Sequence, residues 1–406
     1  MVEASAPRLD TEAAYKGGEA ARGCSEVQSG RRLRIIMTVN AAWNIWNFRR
    51  PLLSALIADG HEVTVLAPED EFAAKLKGLG CRFIPLPMRL KSLNPASHVA
   101  LAWRMRRVFA AIQPDIVLSY TIKNNIYGAF AARSLGIPFI PNVTGLGTAF
   151  LSGGFLQSMA QLLYRIAFAK LPVVFFQNED DRSLFLDQRL VQPWQAQLLP
   201  GSGIDLAYFA DKPFPDASKP VVFLMIARLL RHKGVEEYVE AARLVREHYP
   251  DARFQLLGAA DAANRSAISL DTVQAWENTH GIEYLGTSQD VRSQIADANC
   301  VVLPSYREGA PRTLIEAAAM ARPVIATDVP GCRTIVDDGV SGILCLPRDA
   351  GSLADVCLRF LRLSQAEMLA MGLSGRSKME REFDQEIVAS AYRQVLAQVE
   401  PDAAKA

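Results

Sequence analysis

Two cations stand five residues apart in Ala227-Arg228-Leu229-Leu230-Arg231-His232-Lys233-Gly234, after an apolar run and before a stretch of helical period. Such a pair suits a diphosphate. An Arg guanidinium takes two oxygens at once, and a Lys ammonium adds a point charge. A helix opening at Gly234 adds unpaired N–H groups and a favourable dipole. The same residues also read as a basic loop in water. A second stretch, Pro304-Ser305-Tyr306-Arg307-Glu308-Gly309-Ala310-Pro311-Arg312-Thr313-Leu314-Ile315-Glu316, follows the apolar run Cys300–Leu303. Pro311 suits the first turn of a helix, where its missing N–H costs nothing. Glu308 then falls on the loop and Glu316 roughly a turn and a half into the helix. Gly309 permits close backbone approach to a ligand. Two carboxylates so placed can accept hydrogen bonds from sugar hydroxyls. The alternative makes Glu308 a helix-entry charge and Glu316 a surface residue. The apolar run Ala317-Ala318-Ala319-Met320 argues instead for a half-buried Glu316 that needs a partner.

These loops need strands and helices to hold them. From residue 33 onward, short β-rich runs alternate with amphipathic stretches. Strands are expected at Leu33–Val39, Glu62–Ala67, Arg82–Leu86, Asp115–Ser119, Pro138–Asn142, Val173–Gln177 and Gln195–Leu199. The pattern pauses in the polar run Ala210–Lys219, around Pro213 and Pro215. It restarts with strands at Val221–Ile226, Arg253–Leu257, Ile282–Leu285, Cys300–Leu303, Pro323–Thr327 and Gly342–Cys345. Helical periods span 96–112, 125–135, 153–169, 234–248, 290–297, 312–321, 351–363, 365–382 and 385–398. Such alternation gives α/β architecture, with parallel sheets covered on both faces. The reading is a disordered tail over 1–30, a doubly wound domain over 31–204, a linker over 205–218, a second such domain over 219–383, and a closing helix and tail over 384–406. Ligands of doubly wound sheets bind outside the carboxyl ends of the strands. The two domains therefore face a cleft, and the loops above lie in it.

Composition narrows the class. The chain has 406 residues, 50% of them hydrophobic and 21% charged, so large cores form and wholesale disorder is excluded. The net charge of +1 excludes a protein built mainly to wrap nucleic acid. The charge is unevenly placed: residues 31–205 sum to +8, 206–406 to −5 and 1–30 to −2. An anionic partner is thus expected on the first domain alone. The six cysteines lack C-x-x-C spacing and read as scattered reduced thiols of a cytoplasmic protein, and no zinc spacing is found. No run of 18 apolar residues suggests a membrane span, and the first 30 residues lack the apolar core of a secretory signal. No G-x-G-x-x-G follows the first strand, which disfavours a dinucleotide-dependent dehydrogenase.

The spacing Glu308-x7-Glu316, with Arg228 and Lys233 upstream, resembles the donor site of the retaining glycosyltransferases of family 4, which have the two-domain GT-B architecture. Arg322-Pro323-Val324-Ile325-Ala326-Thr327-Asp328-Val329-Pro330-Gly331-Cys332 agrees with this. Tyr120–Gly128, Thr144-Gly145-Leu146-Gly147, Phe175–Asp181 and Leu199–Asp205 are similar to the bacterial branch that builds capsule, exopolysaccharide and O-antigen repeats. The resemblance covers about residues 33–398. It implies that Arg228 and Lys233 hold a donor diphosphate. Glu308 and the N–H groups of Gly309 and Ala310 would contact the transferred sugar, and Glu316 would hold the ribose. Thr313 and Leu314 would offer N–H groups near the phosphate, and the base would lie by Gly258 and Tyr284. It further implies a UDP-sugar donor, retention of configuration, no metal or other cofactor, a lipid-linked saccharide acceptor and peripheral contact with the inner face of the cytoplasmic membrane.

Two departures stand out. Relatives often carry Gly-Gly after the first strand, where this chain has Val39-Asn40-Ala41-Ala42-Trp43-Asn44, so Asn40 becomes the residue expected near the phosphate. Relatives often carry a His after the fourth strand, where this chain has Ser119-Tyr120-Thr121-Ile122-Lys123. Lys123 takes a polar or cationic role there, or is simply solvated. Arg89, Lys91, Arg104, Arg106 and Arg107, with Trp103 and Phe109, make 96–112 either a membrane-facing helix or an ordinary helix packed on the sheet; the stretch Phe155–Arg165 is similarly ambiguous. The alternatives in function are a UDP-N-acetylhexosamine 2-epimerase and a non-catalytic sugar-nucleotide-binding scaffold. Closure of the cleft is expected to hinge near 205–219 and the final helix.

Overall fold

The computed structural model describes residues 31–88, 94–146, 154–260, 264 and 266–398, without the side chains of Phe155 and Leu156. The expected tail over 1–30 lies outside the described residues, as do Arg89 and Lys91. Within Leu33–Ala406, one unit by its contacts, thirteen described strands form two sheets. Each expected strand is present to within one residue at either end.

The first sheet holds β1 (Arg34–Thr38), β2 (Glu62–Ala67), β3 (Arg82–Pro85), β4 (Ile116–Tyr120), β5 (Phe139–Val143), β6 (Val174–Phe176) and β7 (Ala196–Leu198). Its order is β3-β2-β1-β4-β5-β6-β7, all parallel. The second holds β8 (Val222–Ile226), β9 (Arg253–Leu257), β10 (Ile282–Tyr284), β11 (Cys300–Leu303), β12 (Val324–Thr327) and β13 (Gly342–Cys345). Its order is β10-β9-β8-β11-β12-β13, again parallel. Near-continuous burial along the strands reflects helices on both faces, which is why they read as unbroken Val, Ile and Leu runs. Each sheet reverses its strand order once, between β1 and β4 and between β8 and β11. Those reversals open the crevices in which such sheets bind ligands.

Apolar clusters fill both faces of each sheet. The closing helix, Gln385–Gln398, returns to the first sheet, where Val388, Tyr392, Val395 and Leu396 join the cluster of Ile35 and Val65. Arg393 pairs with Asp59 at 2.7 Å and Tyr392 packs on Phe175 at 4.9 Å. The expected helix over 365–382 is α-helical only over Gln365–Lys378. It then widens to a π turn over Met379–Phe383, which buries Met379 and Phe383 and leaves the Phe383 carbonyl to accept from Ile204 N–H at 2.8 Å. The helix expected at 125–135 begins earlier, at Ile122. Thr121 enters it at φ 71°, an unusual conformation for a β-branched residue.

Candidate active site

The two strand-order reversals face one another across a cleft of about 710 Å³. Asn40, Trp43, Asn44 and Arg49 line it from the segment after β1, with Thr144 after β5 and Gln177 after β6. Arg228 and Lys233 line it after β8, and Glu308, Ala310, Arg312 and Thr313 after β11. Asn40, Arg228, Lys233, Glu308, Ala310 and Thr313, all expected from sequence, are therefore brought to one site.

The local chain explains their placement. Arg231–Lys233 forms a single 3₁₀ turn, and Gly234, at φ 76°, turns the backbone into the helix Val235–Arg246. Only glycine fits here, since a Cβ would meet the Pro304 carbonyl oxygen at 2.1 Å. Lys233 is thus aimed across to the loop after β11, and its Nζ donates to Glu308 Oε1 at 2.5 Å. The two side chains are 20% and 12% exposed, so this is a partly desolvated pair held ready in the cleft wall. Arg228 is exposed to the cleft. Beside them His232 lies below its usual protonation range, through burial first and then through repulsion by Lys233 and Arg228.

The loop carrying Glu308 is wedged between neighbours. Asn178 Nδ2 donates to the Gly309 carbonyl at 2.9 Å, and Arg307 Nη2 donates to Asp181 Oδ1 at 2.5 Å. Asp181 is buried; burial raises its carboxyl above the usual range although Arg307 pulls it down. Asn178 also caps the helix Glu179–Asp187 by accepting from Asp181 N–H at 2.8 Å. Thr313 Oγ1 donates to the Ile226 carbonyl at 3.1 Å, tying the next helix, Arg312–Ala319, to the end of β8.

Other expected residues lie elsewhere. Glu316 is held by Arg312 Nε at 2.8 Å, and burial raises its carboxyl against that pull. Arg312 also donates to the Gly203 carbonyl at 2.9 Å. Glu316, Leu314, Gly309, Gly258 and Tyr284 are not among the described residues lining the cleft. Leu314 is buried in the core, and Tyr284 Oη donates to the Gly258 carbonyl at 2.9 Å beside β9. Lys123 lines a separate cavity of about 240 Å³ with His98 and Arg104, and burial lowers its pKa.

Sequence reasoning assigned no role to Arg49, Asn178, Asp181 or Arg312. Asn178-x-x-Asp181 was legible as a helix cap. Nothing local marked Arg49 as a cleft residue.

Residues 45–201 match the family described as "Glycosyl transferase 4-like domain", and residues 220–362 match "Glycosyl transferases group 1". The chain is a family 4-like, group 1 glycosyltransferase. The first match spans β2 to β7 and the second spans all six strands of the other sheet, so the cleft lies between the two matched regions. This glycosyltransferase is 28% identical over 378 residues to the N,N'-diacetylbacillosaminyl-diphospho-undecaprenol alpha-1,3-N-acetylgalactosaminyltransferase of Campylobacter jejuni, covering 89% of this chain and 97% of that protein. It is 27% identical to the UDP-Gal:alpha-D-GlcNAc-diphosphoundecaprenol alpha-1,3-galactosyltransferase of Escherichia coli, over 60% of this chain and 66% of that one. Its fold is that of the solved glycosyltransferase from Rickettsia africae, with TM-score 0.74, 16% identity and coverage of 92% and 100%. Anabaena Alr3699/HepE in complex with UDP is similar, with TM-score 0.73, 16% identity and coverage of 90% and 100%. The glycosyltransferase has the GT-B fold expected from its sequence.

Proposed function

We propose that this glycosyltransferase moves a hexose or N-acetylhexosamine from a UDP-sugar to a polyprenyl-diphosphate-linked saccharide, with retention of configuration and without a metal, in assembly of a bacterial surface polysaccharide. The observation that carries the reading is the charge of the cleft. Arg49, Arg228, Lys233 and Arg312 line it against one carboxylate, Glu308. As the glycosidic bond breaks, the leaving diphosphate gains negative charge, and cations already in place stabilise it without reorganising. The nearby carboxylates Glu308 and Glu316 are each occupied by a cation, which favours side-chain charges over a metal in that role. Glu308, anchored on Lys233, is the group disposed to orient the transferred sugar. The two curated relatives act on diphosphoundecaprenol-linked sugars, which supports an acceptor of that class.

A membrane-bound acceptor agrees with the exposed apolar side chains of two helices. The helices Pro95–Ile112 and Gly154–Phe168 both pack on the helix Ile122–Arg133. They expose Val99, Trp103, Met159, Leu162 and Ile166. Arg107 lies over the Trp103 ring at 4.7 Å. Apolar side chains beside arginines suit peripheral binding to an anionic membrane. No described helix is long and apolar enough to cross a membrane.

Thermal denaturation across a nucleotide-sugar panel in chelator tests the donor. A ligand present at a hundred times its dissociation constant adds about 2.7 kcal/mol. Stabilisation by UDP and one UDP-sugar is expected. Stabilisation by GDP or ADP alone overturns the donor, and a requirement for added metal overturns metal independence.

A further inference from the structure

Arg49 stands between two helices, as the last cap of Ala42–Phe48 and the first of Arg50–Ala58. It is only 5% exposed, yet it lines the cleft. Its Nη1 donates to Asn44 Oδ1 at 2.7 Å, and its guanidinium lies 4.1 Å from the Tyr120 ring centroid. Among the described residues no carboxylate pairs with it. The other buried cations are better matched. Lys378 has Asp337 at 2.6 Å, and Arg322 donates to four backbone carbonyls.

A buried guanidinium without a counter-charge is costly to keep. Here burial lowers its pKa, Tyr120 and Tyr392 offset part of that, and the like charge of Arg312 on the opposite wall adds to the lowering. An anion entering between the two walls offsets both effects and meets a planar, multiply donating group suited to phosphoryl oxygens. Arg228 and Lys233 belong to the second sheet's loops, whereas Arg49 comes from the first.

We propose that Arg49 is an anion-binding residue, taking phosphoryl oxygens of a diphosphate from the first-sheet side of the cleft. The inference rests on the glycosyl-transfer reading only in supposing that a diphosphate is a substrate group. That group belongs either to the donor nucleotide or to the polyprenyl acceptor.

The test uses the full chain as wild type, Arg49→Met, Arg49→Lys and the neighbouring control Arg50→Met, whose native side chain lies over Trp46 and Tyr208. Calorimetry would measure affinity for UDP, and for farnesyl diphosphate at saturating UDP. Arg49→Met should weaken one of them by about tenfold or more, with partial recovery in Arg49→Lys and no change in Arg50→Met. A loss for UDP names the donor as the source, and a loss confined to farnesyl diphosphate names the acceptor. The melting temperature of unliganded Arg49→Met should equal or exceed that of wild type, because an apolar chain replaces an unmatched charge. Both affinities unchanged would overturn the proposal whatever the melting temperature, and a lower melting temperature beside them would leave Arg49 a structural residue. If Arg49→Met fails to fold, Arg49→Lys decides by the same affinities. If wild type binds no UDP, the transfer reading fails by itself. Inorganic diphosphate, titrated into wild type and Arg49→Lys, then decides the role of Arg49.

Discussion

Replacing Gly309 by Ala probes whether the loop after β11 is held to sub-ångström tolerance. A Cβ at this position would lie 2.7 Å from the Thr144 carbonyl oxygen on the opposite wall. A relaxed C···O contact is about 3.3 Å or longer, so something must give by roughly 0.6 Å. Neither side is soft. The Gly309 carbonyl is held by Asn178. Beneath it sits Gly331, where even a Cβ would lie 2.4 Å from the Gly309 oxygen. The backbone of Gly309 is not left-handed, so the contact alone carries the cost. Overpacking of this kind destabilises by about 1–3 kcal/mol, or a few degrees of melting temperature in a body this size. Misplacement by about 1 Å costs roughly a hundredfold in rate, so a shift of this order predicts a ten- to hundredfold fall in turnover. UDP affinity should change by less than about threefold, since Arg228 and Lys233 are untouched. Stopped-assay turnover at saturating donor, UDP calorimetry and thermal denaturation of Gly309→Ala read these three quantities. Normal turnover with an unchanged melting temperature would refute the close approach of the two walls.

Lys233→Ala strands the Glu308 carboxylate in the cleft and removes a cation from the leaving group, so turnover should fall by about 10²–10³ with circular dichroism unchanged. Near-normal turnover would sink the assignment of this pair. Arg322→Leu strips donors from the carbonyls of Lys212, Pro213, Ala296 and Met320, and urea denaturation should show a loss of about 3–5 kcal/mol; a loss below about 1 kcal/mol would contradict the clamp. His232 is held below its ordinary value of 6.5, so its contribution to stability is fully present above pH 6.5 and is lost as pH falls below it. His61 shifts in the same direction. The informative quantity is therefore the difference between wild type and His232→Asn, whose stability should fall less between pH 7.5 and 5.5; equal falls would refute the assignment.

The strands were legible because fully buried parallel strands must be apolar along their whole length. The loops after β8 and β11 were legible because Gly234 and Pro311 punctuate them beside charged residues. The helix Leu270–His280 is not legible in the sequence pattern, although Ser269 caps it through Thr272 N–H. Its one fully buried residue, Val273, gives almost no apolar stripe to read. The first wall of the cleft was far less legible. Arg49 lies nine residues beyond Asn40, and its burial depends on Tyr120, contributed by a strand distant in the chain. The pairing of Asp181 with Arg307 spans 126 residues between the two sheets, and such a contact has no local signature. Glu316 was correctly read as needing a partner, but the partner is Arg312, one helical turn back.

The hinge expected over 205–219 is too broad on physical grounds. Arg322 binds the carbonyls of Lys212 and Pro213, and Arg376 donates to Phe209 at 3.0 Å and Ala319 at 2.6 Å. This segment is fastened to the second sheet's layers and should move with them. The chain crosses between the two bodies just before it, at Gly201–Ile204, and again at Phe383–Gln385. Two hydrogen bonds, Ile204 N–H to Phe383 at 2.8 Å and Gln385 N–H to Ile204 at 3.0 Å, join the crossings side by side. Rotation about that narrow pair opens the cleft at the cost of the Asn178–Gly309 and Asp181–Arg307 contacts. A diphosphate bridging the walls favours the closed arrangement by its contacts to both. Small-angle scattering should show a smaller radius of gyration with UDP than without it. Arg307→Met, which removes a closing contact but no cleft-lining group, should enlarge the unliganded form. Identical dimensions for wild type with and without UDP would mean that the walls do not move on binding, and the two crossings would then be a rigid strut.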